Sequence, residues 1–104
     1  MQFLVVARPS DPVPPDMIQM LTDGSKQWYE RYKDRFEAFG NFASGGGFGV
    51  VNAENEQDLF RMIWEMPFIP LSDVTVDVVW PGSGAFDFIA DVARQMAGGS
   101  TQSA

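Results

Sequence analysis

Asp58-Leu59-Phe60-Arg61-Met62-Ile63-Trp64-Glu65-Met66-Pro67-Phe68-Ile69-Pro70-Leu71-Ser72-Asp73-Val74-Thr75-Val76 decides how this chain folds. Its first part predicts an amphipathic helix, because Leu59, Phe60, Ile63 and Met66 fall at spacings that line one side of a helix. Pro67 and Pro70 cannot continue that helix, and each drives the residue before it toward an extended backbone. Phe68, Ile69 and Leu71 make the connector apolar, so it belongs against a core. Val74, Val76 and Val78 then alternate with Thr75, Asp77 and Val79, the period of a half-buried strand.

Outward from this unit the chain reads as alternating strands and helices. Asn55 predicts the helix cap, with Glu56 and Asp58 in an acidic first turn. Before it, residues 38–44 and 47–53 read as a strand pair turned at Ser44-Gly45-Gly46-Gly47, where glycine supplies the angles of a tight hairpin. No Gly-Lys-Ser/Thr follows and no helix begins there, which sets a phosphate-loop reading behind the turn. Gly40 and Gly49 mark bulges, or places where a backbone or ligand comes close. A long helix is predicted from the Pro14-Pro15 start to about Phe36, with Met17, Leu21, Trp28, Tyr32 and Phe36 inward and Gly24 marking a close contact or a kink. Met1 to Ala7 reads as a buried first strand. Beyond the elbow, a strand over Val74–Trp80 stops at Pro81-Gly82, and Ser83 caps a third helix to about Met96. Phe86, Ile89, Val92, Ala93 and Met96 form that helix's apolar stripe, and residues 98–104 read as a flexible tail.

The order predicts an α+β, ferredoxin-like βαββαβ domain over residues 1–97, with an antiparallel sheet and an extra C-terminal helix. Both main helices then cover one sheet face. The other is left open and apolar, which predicts that two copies pair through their sheets as a dimeric α+β barrel, with Val76 among the residues of that interface.

Composition narrows the function. With 104 residues there is one domain, and 45% hydrophobic residues with nine Phe supply a core. A net charge of −7 argues against nucleic acid, whose phosphates demand a basic surface, and no basic amphipathic helix points to a membrane. The absence of Cys excludes disulfides and thiolate chemistry; the absence of His removes the usual general base and the commonest transition-metal ligand. The opening Gln2-Phe3-Leu4-Val5-Val6 is too short for a signal peptide, so the cytoplasm is the expected location.

Three groups carry candidate chemistry. Tyr29 and Tyr32 can donate hydrogen bonds to a substrate carbonyl while Lys26 or Glu30 handles a proton; equally, these residues can form a solvated face with tyrosine rings over the core. Arg61 suits a substrate carboxylate and Trp64 an aromatic wall, against a surface ion pair and simple packing. Asp73 suits backbone donors in the turn after the elbow, while Asp77 faces outward or toward a partner sheet; either one, if buried in a dry cavity, would have a raised pKa. No compact pattern of hard-metal ligands appears.

The run helix, Met-Pro-Phe-Ile-Pro-Leu, Ser-Asp-Val-Thr-Val resembles the corresponding segment of muconolactone isomerases, with Pro67, Pro70, Asp73 and Val76 in matching places. The resemblance extends more loosely from Met1 to about Val79. It implies a ferredoxin-like fold, sheet-to-sheet dimers or larger rings, and cofactor-free proton transfer within a small ring. It also implies a pocket between the long helix, the hairpin and the elbow, which would put Trp28, Phe42, Phe68 and Leu71 against the substrate. The family has histidines in the region of Phe39–Gly47 and a tyrosine at the place of Leu71, whereas this chain has Phe, Gly, Ser, Ala and Leu there. That departure points away from muconolactone itself, toward a larger or more apolar substrate. Three readings follow: a cofactor-free isomerase or cyclase acting on a small cyclic or aromatic metabolite, a non-catalytic binding or assembly protein, and a cofactor-independent oxygenase. A buried acid or Lys facing a cavity would favour the first, and a space filled by Phe, Met and Trp the second.

Overall fold

The computed structural model describes residues 1–80, 82 and 84–103, with side chains described as far as residue 98. Its elements are β1 (Gln2–Pro9), α1 (Ile18–Tyr32), β2 (Phe36–Asn41), β3 (Gly47–Asn52), α2 (Glu56–Trp64), β4 (Ser72–Val79) and α3 (Gly84–Ser103). The strands form one antiparallel sheet in the order β2-β3-β1-β4. This is a ferredoxin-like α+β fold.

Phe3 is fully buried, and Val5 and Ala7 pack on the same core, so the odd residues of β1 face α1 and α2. Register places Val51 and Gly49 beside them on β3, and Val78, Val76 and Val74 on β4. Leu4, Val6, Phe48, Val50, Thr75, Asp77 and Val79 therefore share the opposite face. Val76, expected on the exposed face, is on the helix-covered one, half-buried against the core cluster; the one-residue alternation of β1 decides which set goes inside. Asp77 lies across from Leu4 and Asp73 across from Arg8, both carboxylates exposed.

The helices differ from expectation in informative ways. On α2 the buried side is Leu59, Met62 and Ile63, with Met66 half-buried beyond its end and Phe60 left 44% exposed. Met62 completes the i, i+3, i+4, i+7 face that Phe60, one residue round from Leu59, cannot share. Asn55 caps α2 as predicted, its side-chain oxygen accepting from the Asp58 N–H at 2.8 Å. Only Leu21 and Trp28 are buried on α1, and Met17 stays exposed. The helix ends at Tyr32, four residues early: Lys33–Arg35 tighten into a 3-10 turn, and Phe36 opens β2 opposite Val51. Gly24 marks a close contact, since a Cβ there would come within 2.9 Å of Pro67 Cγ.

The hairpin turns on Gly45 and Gly46, whose φ angles of 103° and 81° suit glycine. Gly49 and Gly40 mark side-chain approaches: the ring of Phe36 lies over the first and that of Phe48 over the second. α3 runs on through Ser103 instead of ending near Met96, since glycines at 98 and 99 weaken a helix without blocking its ladder as proline would. The predicted Pro81 break and Ser83 cap lie outside the described residues, as do the side chains and the last residue of the predicted tail. No helix among the described residues is long and apolar enough to cross a membrane.

Candidate functional site

α1 and α2 are joined where Trp28 Nε1 donates to the Met62 carbonyl at 2.8 Å, a buried bond between neighbouring helices. One turn further along α1, Tyr32 and Arg31 meet Glu65, the residue that caps the C-terminus of α2. The Tyr32 hydroxyl donates to Glu65 Oε2, and Arg31 Nη1 lies 3.1 Å from the same oxygen. The bond to Glu65 raises the Tyr32 pKa above that of an ordinary phenol, with burial and the carboxylate's charge adding to it. Reciprocally, the Tyr32 hydrogen bond holds the Glu65 pKa below the usual carboxylate range, helped by Arg31. The result is a neutral phenol and an ionised carboxylate in contact at a partly exposed rim.

An aromatic wall runs from this rim along α1 to β2. Trp28 lies 5.9 Å from Tyr32 and 5.7 Å from Phe36, ring centre to ring centre. Tyr29 stacks on Phe36 and packs 4.7 Å from Phe39, which is itself 43% exposed. Edge and offset contacts of this kind make a stiff apolar surface. The space between helices and sheet is filled by Trp28, Phe3, Met62, Val51 and Leu59, and no charged or polar residue is buried among the described residues. The expected cavity between these layers is thus occupied by side chains.

Two shallow concavities among the described residues lie at the end of the sheet where β1 begins and β3 ends, and Arg35, which lines the second, sets its guanidinium 5.9 Å from the centre of the Tyr32 ring. One, of about 340 Å³, is lined by Met1, Gln2, Asn52, Val78, Val79 and Trp80. The second, of about 440 Å³, adjoins a polar clasp of Arg35 and Asp58. Arg35 Nη2 lies 2.5 Å from Asp58 Oδ2, and its Nε donates to the Asn52 carbonyl at 3.1 Å. The Glu54 N–H is the main cause of the lowered Asp58 pKa, and Arg35 adds to it. These groups satisfy one another, which makes the clasp a tie between the sheet and α2.

Of the residues named from sequence, Tyr32, Tyr29 and Trp28 come together in the wall. Lys26 is exposed, and exposed Glu30 pairs with Lys33 at 2.7 Å, away from Glu65. Arg61 and Trp64 sit on the outer side of α2, Trp64 being 68% exposed. Phe68 and Leu71 are half-buried in the elbow, where the Phe68 carbonyl accepts from Ser72 Oγ and the Leu71 carbonyl from the N–H groups of Ser10 and Asp11. Phe42 packs against Phe48 on the open sheet face, under the Arg8 guanidinium, with the sheet between it and Tyr32. Glu65, Arg31, Phe36 and Phe39 were missed as site residues. Glu65 is 33 residues from Tyr32, so only the packing of α1 on α2 brings the two together.

The strand order and the paired helices define a ferredoxin-like α+β fold. The chain superposes on the crystal structure of a muconolactone isomerase with a TM-score of 0.70 at 19% identity, covering 81% of this chain and 93% of that one. It also matches a 5-chloro-2-hydroxyhydroquinone dehydrochlorinase from Burkholderia phenoliruptrix AC1100, solved with 2,5-dihydroxybenzoquinone, with a TM-score of 0.63 at 18% identity over 80% of this chain and 97% of that one. No protein-family model and no curated protein sequence matches the chain. Such likeness defines the architecture, and both structural relatives are enzymes.

Proposed function

We propose that this chain is a small, cofactor-free cytoplasmic enzyme of the isomerase type, which moves a proton on a small cyclic or aromatic metabolite. The contact of Tyr32 with Glu65 carries this reading, because it sets a proton donor beside a carboxylate base. A substrate carbonyl that takes the Tyr32 hydrogen bond removes the main cause of Glu65's low pKa. The freed carboxylate becomes a stronger base, accepts a proton from the carbon next to that carbonyl, and returns it to another carbon of the conjugated system. Tyr32 meanwhile stabilises the enolate oxygen. Phe39 and Tyr29, their rings tilted by 40° to each other, offer an apolar aromatic surface for the ring. The two structural relatives, an isomerase and a dehydrochlorinase of cyclic compounds, lend the substrate class.

The test is solvent-deuterium incorporation, followed by NMR, into unsaturated lactones and hydroxylated quinones in D₂O. Wild type is expected to exchange ring protons, and Tyr32→Phe and Glu65→Gln to slow exchange by about 100-fold, the lower range for loss of a positioned acid or base. Equal rates in wild type and both variants would contradict the assignment. The filled layer between helices and sheet supports a second reading, a non-catalytic binding or assembly protein. Ligand binding without exchange would favour it, while oxygen uptake with a phenolic substrate would identify an oxygenase.

A further inference from the structure

Glu65 is held by one carboxylate oxygen only. The Tyr32 hydroxyl and Arg31 Nη1, the latter at 3.1 Å, both donate to Oε2, and no hydrogen bond or ion pair among the described residues reaches Oε1. The backbone beneath is fixed as well: the Glu65 N–H donates to the Met62 carbonyl at 3.3 Å, and the buried Trp28 indole donates to that carbonyl at 2.8 Å. What is left free is rotation of the side chain, which the two donors restrain. A substrate changes only one of them. In the proton-transfer reading its carbonyl takes the Tyr32 hydroxyl away. Arg31 can stay on Oε2, because a guanidinium remains charged and carries five N–H donors. It also lies 5.9 Å from the centre of the Tyr32 ring, a contact that the hydroxyl's choice of partner leaves in place. Without Arg31 the Glu65 side chain, 38% exposed, would turn among solvated rotamers once Tyr32 is engaged.

We infer that Arg31 is a positioning residue for Glu65: it holds Oε2 throughout the reaction, so that Oε1 is the oxygen that takes and returns the proton. The inference rests on the proton-transfer reading and deepens it by one residue and one atom. The C–H bond next to the substrate carbonyl breaks, its proton goes to Oε1, and its electron pair passes into the enolate whose oxygen accepts from Tyr32. Oε1 then gives the proton to another carbon of the conjugated system. A carboxyl protonated on Oε1 still accepts from Arg31 on Oε2, so the guanidinium has no need to move at either step. The other charges nearby do not duplicate this hold. Arg61, one turn back on α2, acts on Glu65 through its charge alone, and Arg35 is paired with Asp58. Arg31 is itself 63% exposed, and a surface pair of this kind adds little to folding stability, so its removal separates positioning from folding.

The test first follows the Glu65 side-chain carboxyl of the ¹³C-labelled full chain by NMR against pH. Tyr32→Phe stands for the state in which a substrate has taken the hydroxyl. Glu65 is expected to titrate at higher pH in Tyr32→Phe than in wild type, and at higher pH again in Tyr32→Phe/Arg31→Met. Equal titration in the single and double variants would overturn the hold of Arg31, whatever the activity. Deuterium exchange into unsaturated lactones and hydroxylated quinones is then compared in wild type and Arg31→Met. The variant should lose about tenfold in kcat, the scale of one hydrogen bond to a charged group, with KM within about twofold of wild type. The acid limb of its pH profile should move upward, and added guanidinium ion should restore part of the rate. A raised KM with kcat unchanged would make Arg31 a substrate contact and overturn the positioning role. No exchange by wild type would overturn the proton-transfer reading and this role with it, whereas unchanged titration removes the role alone.

Discussion

Asp58 shows how one carboxylate can hold several elements. It accepts from the Glu54 N–H and pairs with Arg35, whose Nε bonds the Asn52 carbonyl, so α2 is tied to β3 and the end of α1. Its pKa is lowered in the folded chain, so its contribution to stability is complete above the unfolded value of about 4. It is lost as pH falls through the lower folded value. Asp58→Asn should therefore lower the melting temperature at neutral pH and flatten the decline of wild type below about pH 4. Parallel melting curves against pH for the two proteins would assign the acid sensitivity elsewhere. Glu65 follows the same sign, with Tyr32 as its main partner. Trp28 acts differently, by burial: Trp28→Phe removes the indole donor and leaves the Met62 carbonyl only the longer bond from the Glu65 N–H at 3.3 Å, at a cost of about 0.5–1.5 kcal/mol by chemical denaturation.

At the scale of elements, the faces of α2 give the clearest contrast. Met62→Ala should cost about 2–5 kcal/mol, as for other buried methionines, whereas Phe60→Ala at an exposed position should stay within about 0.5 kcal/mol. Similar losses in urea titrations would mean that α2 is rotated from the orientation described. Much of this architecture was legible in the chain. Helix, two-proline elbow and alternating valines give α2, the turn and β4 within two residues at each boundary. Asn55 announced its cap, and the glycines their hairpin. What was not legible depends on tertiary contact. Phe60 and Met62 are both apolar, and only packing chooses between them. Phe36 continues the helical spacing of α1, yet pairing with Val51 draws it into the sheet. Likewise Val74, Val76 and Val78 alternate with partners that include Val79, so the pattern alone left open which set faces the helices. For the site, the tyrosines were legible as residue types, but Glu65 joins them only through the packing of α1 on α2.

The whole molecule is a four-stranded sheet covered on one face and open on the other, with α3 following β4. Substitutions on the two faces should separate folding from assembly. Val76→Lys puts a charge into the helix-covered layer and should unfold the chain, while Val50→Lys should leave it folded and weaken self-association. The proton-transfer account makes a further demand, that the folded chain holds a small ring against Tyr32 and Glu65. Native mass spectrometry of the intact protein, alone and with a hydroxylated quinone or an unsaturated lactone added, tests that demand most directly. The account predicts an oligomer that carries a co-purified cyclic molecule or takes up an added probe, with binding weakened in Tyr32→Phe. A wild-type protein that holds no small molecule and takes up neither probe would contradict it.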